Sequence, residues 1–128
     1  MMTHEGTVLI VDDNLHACSS MATLVMLEGF EPIMATNGAK ALAYLADHPA
    51  PCFIILDMLM PVMDGWEFLA CKQEVPQWSK IPVLIATGRD GTIDLDRYPE
   101  VVAVVCKPVN PETIFAILKE HHVPQSFH

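Results

Sequence analysis

The chain has 128 residues, of which 52% are hydrophobic, so it is long enough to bury the core of one domain and leaves no room for a second. Seven lysines and arginines stand against sixteen aspartates and glutamates, which gives a formal net charge of −9. A surface of that sign repels nucleic acid phosphates and anionic membranes, and no basic patch along the chain offsets it. The composition therefore excludes direct nucleic acid binding and favours an acidic site for a cation.

No apolar run approaches the roughly 20 residues that a membrane-spanning helix needs. Residues 1–6 are polar and lack the basic and apolar stretches of a secretory signal peptide. These features predict a cytoplasmic protein that does not insert into a membrane. The four cysteines lie far apart among apolar neighbours, which predicts buried reduced thiols and argues against disulfides or a zinc site; they are Cys18, Cys52, Cys71 and Cys106.

The first predicted element is a strand over residues 8–11, a continuous apolar run that ends in Asp12 and Asp13. Such a run is typical of a strand that is buried on both faces of a parallel sheet. Asn14 follows as the predicted cap of an amphipathic helix that ends at Gly29.

A second strand is predicted over residues 32–36, at an edge of the sheet because it contains a proline. Asn37 then opens an alanine-rich helix that runs to about His48. Residues 52–56 form the most apolar strand, and this strand also ends in an aspartate, Asp57.

The second half of the chain repeats the alternation. A short helix is predicted from Trp66 to about Glu74, and a fourth strand over residues 81–86 ends at Thr87. Glycines and a proline enclose residues 92–98, so the fourth helix is predicted to be short or irregular.

A fifth strand over residues 101–106 ends at Lys107, and Asn110 and Pro111 begin the last helix. Residues 1–6 and 124–128 are predicted to be frayed ends.

Five strands that alternate with helices indicate a doubly wound α/β sheet with right-handed crossovers. Ligands of such sheets bind just outside the carboxyl ends of the strands. Taken singly, an aspartate, threonine or lysine at a strand end is more often a cap, a turn residue or a surface residue. Four predicted strands deliver a polar group to this edge, and their meeting predicts a functional site: Asp12 and Asp13, Asp57, Thr87, and Lys107.

Three carboxylates in one crevice repel one another unless a positive charge lies among them. Magnesium suits such a site, because it prefers oxygen ligands and keeps waters that leave a position for phosphate. Asp57 is then a candidate nucleophile toward phosphorus, with an acyl phosphate as its product. Lys107 supplies a second cation, and the hydroxyl of Thr87 supplies a hydrogen-bond donor for a phosphoryl oxygen.

The order of these motifs resembles the receiver domain of two-component response regulators. Four segments carry the resemblance: VLIVDDN (8–14), FIILDMLMPVMDGWEFL (53–69), PVLIATG (82–88) and VVCKP (104–108). The resemblance covers nearly the whole chain, and its combined motif is highly specific. We therefore expect a single receiver domain over residues 1–128, with a flavodoxin-like sheet in the strand order 2-1-3-4-5.

By this resemblance, Asp57 is the phosphoacceptor. Asp13, Asp57 and the backbone carbonyl of Leu59 would ligate magnesium, and Asp12 would bind the ion largely through water. The phosphoryl donor would be a phosphohistidine on a sensor histidine kinase or on a histidine phosphotransfer protein. The chain would catalyse its own phosphorylation and dephosphorylation without turning over external substrates.

The resemblance also assigns residues around the acceptor. Thr87 and Lys107 would contact the phosphoryl group, and Pro61 and Gly65 would shape the loop that follows Asp57. The family's lysine-proline bond is commonly cis, so Lys107-Pro108 is a candidate cis peptide.

Val104 and Leu59 depart from the family's usual pattern, and Arg89 is a third position that matters beside the site. Relatives usually carry an aromatic residue three positions before the lysine, and its ring moves inward as the threonine shifts; Val104 has no ring, so any signal must pass differently. Leu59 is apolar where many relatives have a polar residue that places the hydrolytic water. Arg89 brings a cation near the phosphoryl group. We expect both Leu59 and Arg89 to slow dephosphorylation.

Two other functions remain open. One is a phosphorylation-independent interaction module on the same fold, which an irregular fourth helix favours and the complete polar set disfavours. The other is a magnesium-dependent aspartyl phosphohydrolase, which would place a second acid where Leu59 stands. The sequence does not specify the cognate kinase, the downstream target, or whether the chain is a separate switch or part of a larger protein.

Overall fold

The computed structural model describes residues 6–60, 62–88 and 95–123. Its strands are β1 (Thr7–Val11), β2 (Glu31–Ala35), β3 (Phe53–Leu56), β4 (Val83–Thr87) and β5 (Val101–Cys106). These residues form a parallel sheet of five strands in the order β2-β1-β3-β4-β5. The predicted fold class and strand order are confirmed.

The helices of the described residues are α1 (Leu15–Leu27), α2 (Gly38–Asp47), α3 (Gly65–Gln73), α4 (Pro76–Ser79) and α5 (Pro111–His121). The single turn of α4 lies between α3 and β4, where no helix was predicted. The helix expected over residues 92–98 falls partly outside the described residues. Residues 95–97 form a turn, so the described part of that segment is irregular, as expected.

Side chains cap the longer helices at their first turns, where backbone N–H groups lack partners within the helix. The predicted caps are confirmed: Asn14 accepts from Ala17, Asn37 from Lys40, and Asn110 from Glu112. Asp64 caps α3 in the same way by accepting from the backbone N–H of Glu67.

The core consists of two apolar layers, one on each face of the sheet. Alternate residues along β1, such as Leu9 and Val11, pack with α2 and α3, and the intervening Val8 and Ile10 pack with α1 and α5. The strands β3 and β4 alternate in the same manner. Burial on both faces explains why these strands read as continuous apolar runs in the sequence.

The strand register brings the polar ends of the strands together. Val11 on β1 pairs with Leu56 on β3, so Asp12 and Asp57 are the next residues on adjacent strands. At the other side, the backbone N–H of Lys107 donates to the carbonyl of Thr87 at 2.8 Å. The sheet therefore delivers these four residues to one edge.

Some expectations about the ends and the thiols are corrected. Gly6 is buried, and its carbonyl accepts from the N–H of Glu31 at 2.9 Å, so it is not frayed; residues 1–5 and 124–128 lie outside the described residues. None of the four cysteines forms a disulfide. Only Cys18 and Cys52 are buried, whereas Cys71 and Cys106 are exposed, because they occupy an outward position of α3 and the last position of β5. Within the described residues, every helix is too short or too polar to cross a bilayer.

Candidate functional site

Three carboxylates form a compact cluster at the carboxyl edge of the sheet. One oxygen each of Asp12, Asp13 and Asp57 lies within 4.8 Å of the other two. Asp12 and Asp57 are buried and Asp13 is exposed. Oxygen ligands at this spacing, partly open to solvent, fit a hard divalent cation such as Mg²⁺.

Backbone hydrogen bonds hold the two buried carboxylates in place. The Oδ1 atom of Asp12 accepts from the N–H of Asn14 at 2.9 Å. The Oδ1 atom of Asp57 accepts from the N–H of Leu59 at 3.2 Å. The Oδ1 atom of each carboxylate therefore accepts a hydrogen bond from the backbone two residues further on, and each Oδ2 atom faces the same cation.

That cation is Lys107, which follows β5. Its Nζ atom lies 2.7 Å from Oδ2 of Asp12 and 3.7 Å from Oδ2 of Asp57. Burial lowers the pKa of Lys107, but the hydrogen bond to Asp12 and the charges of Asp12 and Asp57 outweigh burial, so the net pKa lies above the usual 10.5. Lys107 is therefore positively charged at neutral pH.

The carboxyl group of Asp57 has a raised pKa. Burial is the largest cause, and the charges of Asp12 and Asp13 add to it, whereas the N–H of Leu59 and the charge of Lys107 oppose it. A divalent cation placed among the carboxylates would favour the ionised form of Asp57. The cluster thus offers oxygen ligands for such an ion, and the charge of the ion would offset the repulsion between the carboxylates.

The remaining residues singled out in the sequence occupy different positions. Thr87 is buried at the end of β4, and the Lys107-Pro108 bond is cis. Val104 on β5 pairs with Ile85 and has an exposed side chain. Leu59 is 58% exposed. Pro61 and Arg89 lie outside the described residues.

The loop after Asp57 depends on a glycine. The N–H of Gly65 donates to the carbonyl of Met58 at 3.0 Å. A Cβ atom on Gly65 would lie 2.7 Å from Cα of Met58 and 3.1 Å from the carbonyl oxygen of Asp57. A larger residue would therefore push α3 away from the acceptor strand.

A backbone irregularity in the same loop was not foreseen. Val62 has a φ of 73°, a left-handed conformation that β-branched residues rarely adopt. Its side chain is 81% exposed, so packing within the described residues does not compensate for the strain. Nothing in the sequence marks this position, because a turn of this kind usually carries glycine or asparagine.

An apolar recess adjoins the carboxylates. It has a volume of about 240 Å³, and Asp12, Asp57 and Lys107 contribute to its wall. Most of the rest is aliphatic and comes from α1 and the strands below it, including Met21 and Leu24. The acidic cluster is therefore bordered by an apolar surface of α1.

A buried ion pair lies away from the acidic cluster and was missed in the sequence. The Nζ atom of Lys72 on α3 lies 3.2 Å from Oε2 of Glu100, and the two side chains are 0% and 3% exposed. The helical spacing could have indicated that Lys72 is buried, because it lies three to four residues after Phe68 and Leu69, on the buried face of α3.

Comparison with known proteins gives a consistent result. Residues 8–119 match the family model of the response regulator receiver domain. A transcriptional regulatory protein of Haemophilus influenzae, described as a CpxR homolog, is 34% identical over 114 residues, which cover 88% of this chain and 48% of that protein. Protein PilG of Pseudomonas aeruginosa is 28% identical, over 89% of this chain and 85% of that protein.

A solved structure also resembles this fold closely. The chemotaxis protein CheY4 of Vibrio cholerae superposes with a TM-score of 0.78 at 28% identity, over 90% of this chain and 97% of that chain. The chain spans about half the length, or less, of several curated relatives, for example 48% of the CpxR homolog and 37% of the RegX3 protein of Mycobacterium bovis. On its motifs, its fold and these matches, the chain belongs to the response regulator receiver family of two-component signalling systems.

Proposed function

We propose that this chain is a signalling switch that accepts a phosphoryl group on Asp57 in a magnesium-dependent reaction. The donor is a phosphohistidine on a sensor histidine kinase or a histidine phosphotransfer protein. Asp12, Asp13, Asp57 and the backbone carbonyl of Leu59 would hold Mg²⁺, which neutralises charge on the transferring phosphoryl oxygens when it is bound. Thr87 and Lys107 would contact the phosphoryl group.

The chemistry requires an ionised carboxylate. An oxygen of Asp57 forms a bond to phosphorus, the phosphorus–nitrogen bond of the donor breaks, and the imidazole leaves with the electron pair of that bond and takes up a proton. Lys107 and the N–H of Leu59 both lower the pKa of Asp57 against the larger effect of burial, and so favour the nucleophilic form. The ammonium of Lys107 also stabilises the negative charge of the transition state.

One observation carries this proposal. The oxygens of Asp12, Asp13 and Asp57 lie within 4.8 Å of one another, and Lys107 lies 2.7 Å and 3.7 Å from two of these carboxylates. A structural role alone does not explain this grouping, because burying like charges together costs stability. The grouping supports phosphoryl transfer with metal assistance.

Intact mass after incubation with acetyl phosphate tests the proposal. We expect one phosphate adduct in the presence of Mg²⁺ and none after chelation of the metal. Asp57→Asn should abolish the adduct, and the matched control Asp96→Asn, an exposed aspartate of the turn before β5, should keep it.

The same experiment separates the alternatives. Absence of any adduct at saturating acetyl phosphate and Mg²⁺ would contradict the switch and favour a phosphorylation-independent module. Continuous release of phosphate from many small esters would favour a phosphohydrolase. A single adduct without turnover of external substrates is the result that the switch predicts.

The proposal extends to the protein's place in the cell. We infer a cytoplasmic location, where the phosphohistidine domains of such systems would meet it, and we infer that the chain acts as a single receiver unit.

A further inference from the structure

Helix α3 holds the segment that leads into β5, here called the entry segment (residues 95–100). One contact is the buried pair of Lys72 and Glu100, with 3.2 Å between Nζ and Oε2. Lys72 also donates to the carbonyl of Ser79 in α4 at 3.3 Å. Among the residues that the structure describes, Oε1 of Glu100 is buried without a hydrogen-bond partner.

An ion pair of this kind is costly to bury. Desolvation lowers the pKa of Lys72 to about 8, even though Glu100 raises it by its charge and hydrogen bond. An uncompensated oxygen on Glu100 adds to the cost, since a buried polar atom without a partner destabilises a fold. Replacing such a pair by apolar residues is often neutral or stabilising, so stability alone does not account for it.

Two further contacts join α3 to the entry segment. The side-chain amide of Gln73 donates to the carbonyl of Arg97 at 2.6 Å. At the first turn of α3, the ring of Trp66 lies 6.3 Å from that of Tyr98, within the range of aromatic pairs. The entry segment is therefore tied to both ends of α3.

The N-terminal end of α3 lies next to the loop that follows Asp57. Gly65, its first residue, lies so close to the acceptor that an added Cβ would be 3.1 Å from the carbonyl oxygen of Asp57. A displacement of the acceptor loop would therefore be passed to α3, a continuous helix of nine residues.

We propose that α3 couples the phosphorylation state of Asp57 to the entry segment. In this proposal a displacement of α3 is transmitted to the entry segment through the buried Lys72–Glu100 ion pair. The inference rests on the proposed function of Asp57. It supplies a route for the signal in a chain where Val104, with an exposed aliphatic side chain, has no ring to move. The costly pair links two elements through a contact of fixed direction, which an apolar contact would not provide.

Hydrogen exchange of the full chain, read by mass spectrometry, tests the coupling. With saturating acetyl phosphate and Mg²⁺, we expect exchange of peptides spanning residues 95–101 to change by at least about twofold. In the variant Lys72→Met with Glu100→Leu, this change should be lost, while the yield of the phosphate adduct on Asp57 stays the same. The double replacement keeps apolar volume at both positions, so it tests coupling in a folded protein.

A matched control removes another ion pair of the chain. Lys119 and Glu28 lie 3.5 Å apart at the surface, with side chains 62% and 20% exposed. Lys119→Met with Glu28→Leu changes the same charges and should leave the phosphorylation-dependent exchange intact.

The outcomes are distinct. A full exchange change in the Lys72→Met, Glu100→Leu variant would overturn the coupling role, and so would a phosphorylated wild type with no change at residues 95–101. Absence of the phosphate adduct in the wild type would instead contradict the proposed function, and this inference with it. Loss of the change in both double variants would also count against it, because the effect would not depend on the position of the pair.

Discussion

Lys107 and Asp12 are hydrogen-bonded at 2.7 Å, and this contact joins the ends of β5 and β1 across the two strands that lie between them. The ammonium is nearer to Asp12 than to Asp57, at 3.7 Å. Asp12 is therefore the main partner of the ammonium, and under the proposed function Lys107 would shift toward Asp57 to contact the phosphoryl group.

Removal of this ammonium should impair phosphorylation. We expect Lys107→Met to slow formation of the phosphate adduct by about 10²–10³-fold, the usual effect of removing one charge-stabilising donor. Stopped time courses of intact mass measure this rate. Lys119→Met removes an exposed lysine of α5 and should leave the rate unchanged. An unaltered rate in Lys107→Met would contradict a role in transfer.

From the raised pKa of Asp57 we predict how the unfolding free energy of the metal-free protein changes with pH. The folded state holds this proton more tightly than the unfolded state, so the unfolding free energy falls as the pH rises from the usual carboxyl value of 3.8 through the raised pKa. The cost is therefore larger at pH 7 than at pH 3. Asp57→Asn should therefore be more stable than the wild type at pH 7, with a smaller difference at pH 3.

Denaturant titrations at the two pH values measure this difference. Added Mg²⁺ provides the control, because at about 100 times its dissociation constant a ligand stabilises a protein by ~2.7 kcal/mol. The wild type should gain this stability and Asp57→Asn should gain much less. Equal gains in the two proteins would argue against Asp57 as a ligand.

The Lys72–Glu100 pair predicts strong non-additivity. Lys72→Met alone leaves a buried carboxylate without a cation and should lower the unfolding free energy by about 3–5 kcal/mol. Lys72→Met combined with Glu100→Leu should restore most of the loss, since no buried charge remains. The exposed Lys119 should cost less than about 1 kcal/mol when replaced by methionine. A double variant as unstable as the single one would refute the argument.

The lowered pKa of Lys72 sets a pH dependence of its own. Folded Lys72 loses its proton near pH 8, whereas the ordinary value is 10.5, so between these values the unfolded state binds more protons than the folded state. Stability contributed by this group therefore rises with pH in that window and is constant below it. Relative to the Lys72→Met, Glu100→Leu variant, the wild type should gain unfolding free energy between pH 8 and pH 9.5. A flat difference would show that Lys72 titrates normally.

The sequence predicts the fold class, the strand order and the meeting of the polar strand ends at one edge of the sheet. Asp12, Asp57 and Lys107 each follow an apolar strand, and parallel strands end at the same edge, so their proximity follows from local patterns. The pairing of Lys107 with Asp12 does not, because it depends on which of two neighbouring carboxylates the Nζ atom approaches, at 2.7 Å for Asp12 and 3.7 Å for Asp57.

Features that depend on distant packing were missed. Lys72 and Glu100 are 28 residues apart, and a charged pair on a buried face contradicts the usual pattern of helix polarity. The helix α4 is a single turn, too short for any periodicity to indicate. The exposure of Cys71 reflects its place on the face of α3 that points away from the sheet, whereas Phe68 and Lys72 lie on the buried face.

The lifetime of the acyl phosphate should depend on Leu59. Its side chain is 58% exposed, two residues after Asp57, and offers no group to position an attacking water. We expect Leu59→Asn to shorten the lifetime by about tenfold, below the 10²–10⁴-fold that a true general base contributes. Phosphate adducts followed by intact mass after removal of acetyl phosphate measure the decay.

The same loop supplies the control for that experiment. Val62 is 81% exposed and has a left-handed φ, a conformation that asparagine adopts more readily than valine. Val62→Asn introduces the same amide without straining the loop and should leave the lifetime unchanged if position, and not polarity, decides the effect. A lifetime that Leu59→Asn does not shorten, or that both variants shorten equally, would show that water placement at Leu59 does not limit dephosphorylation.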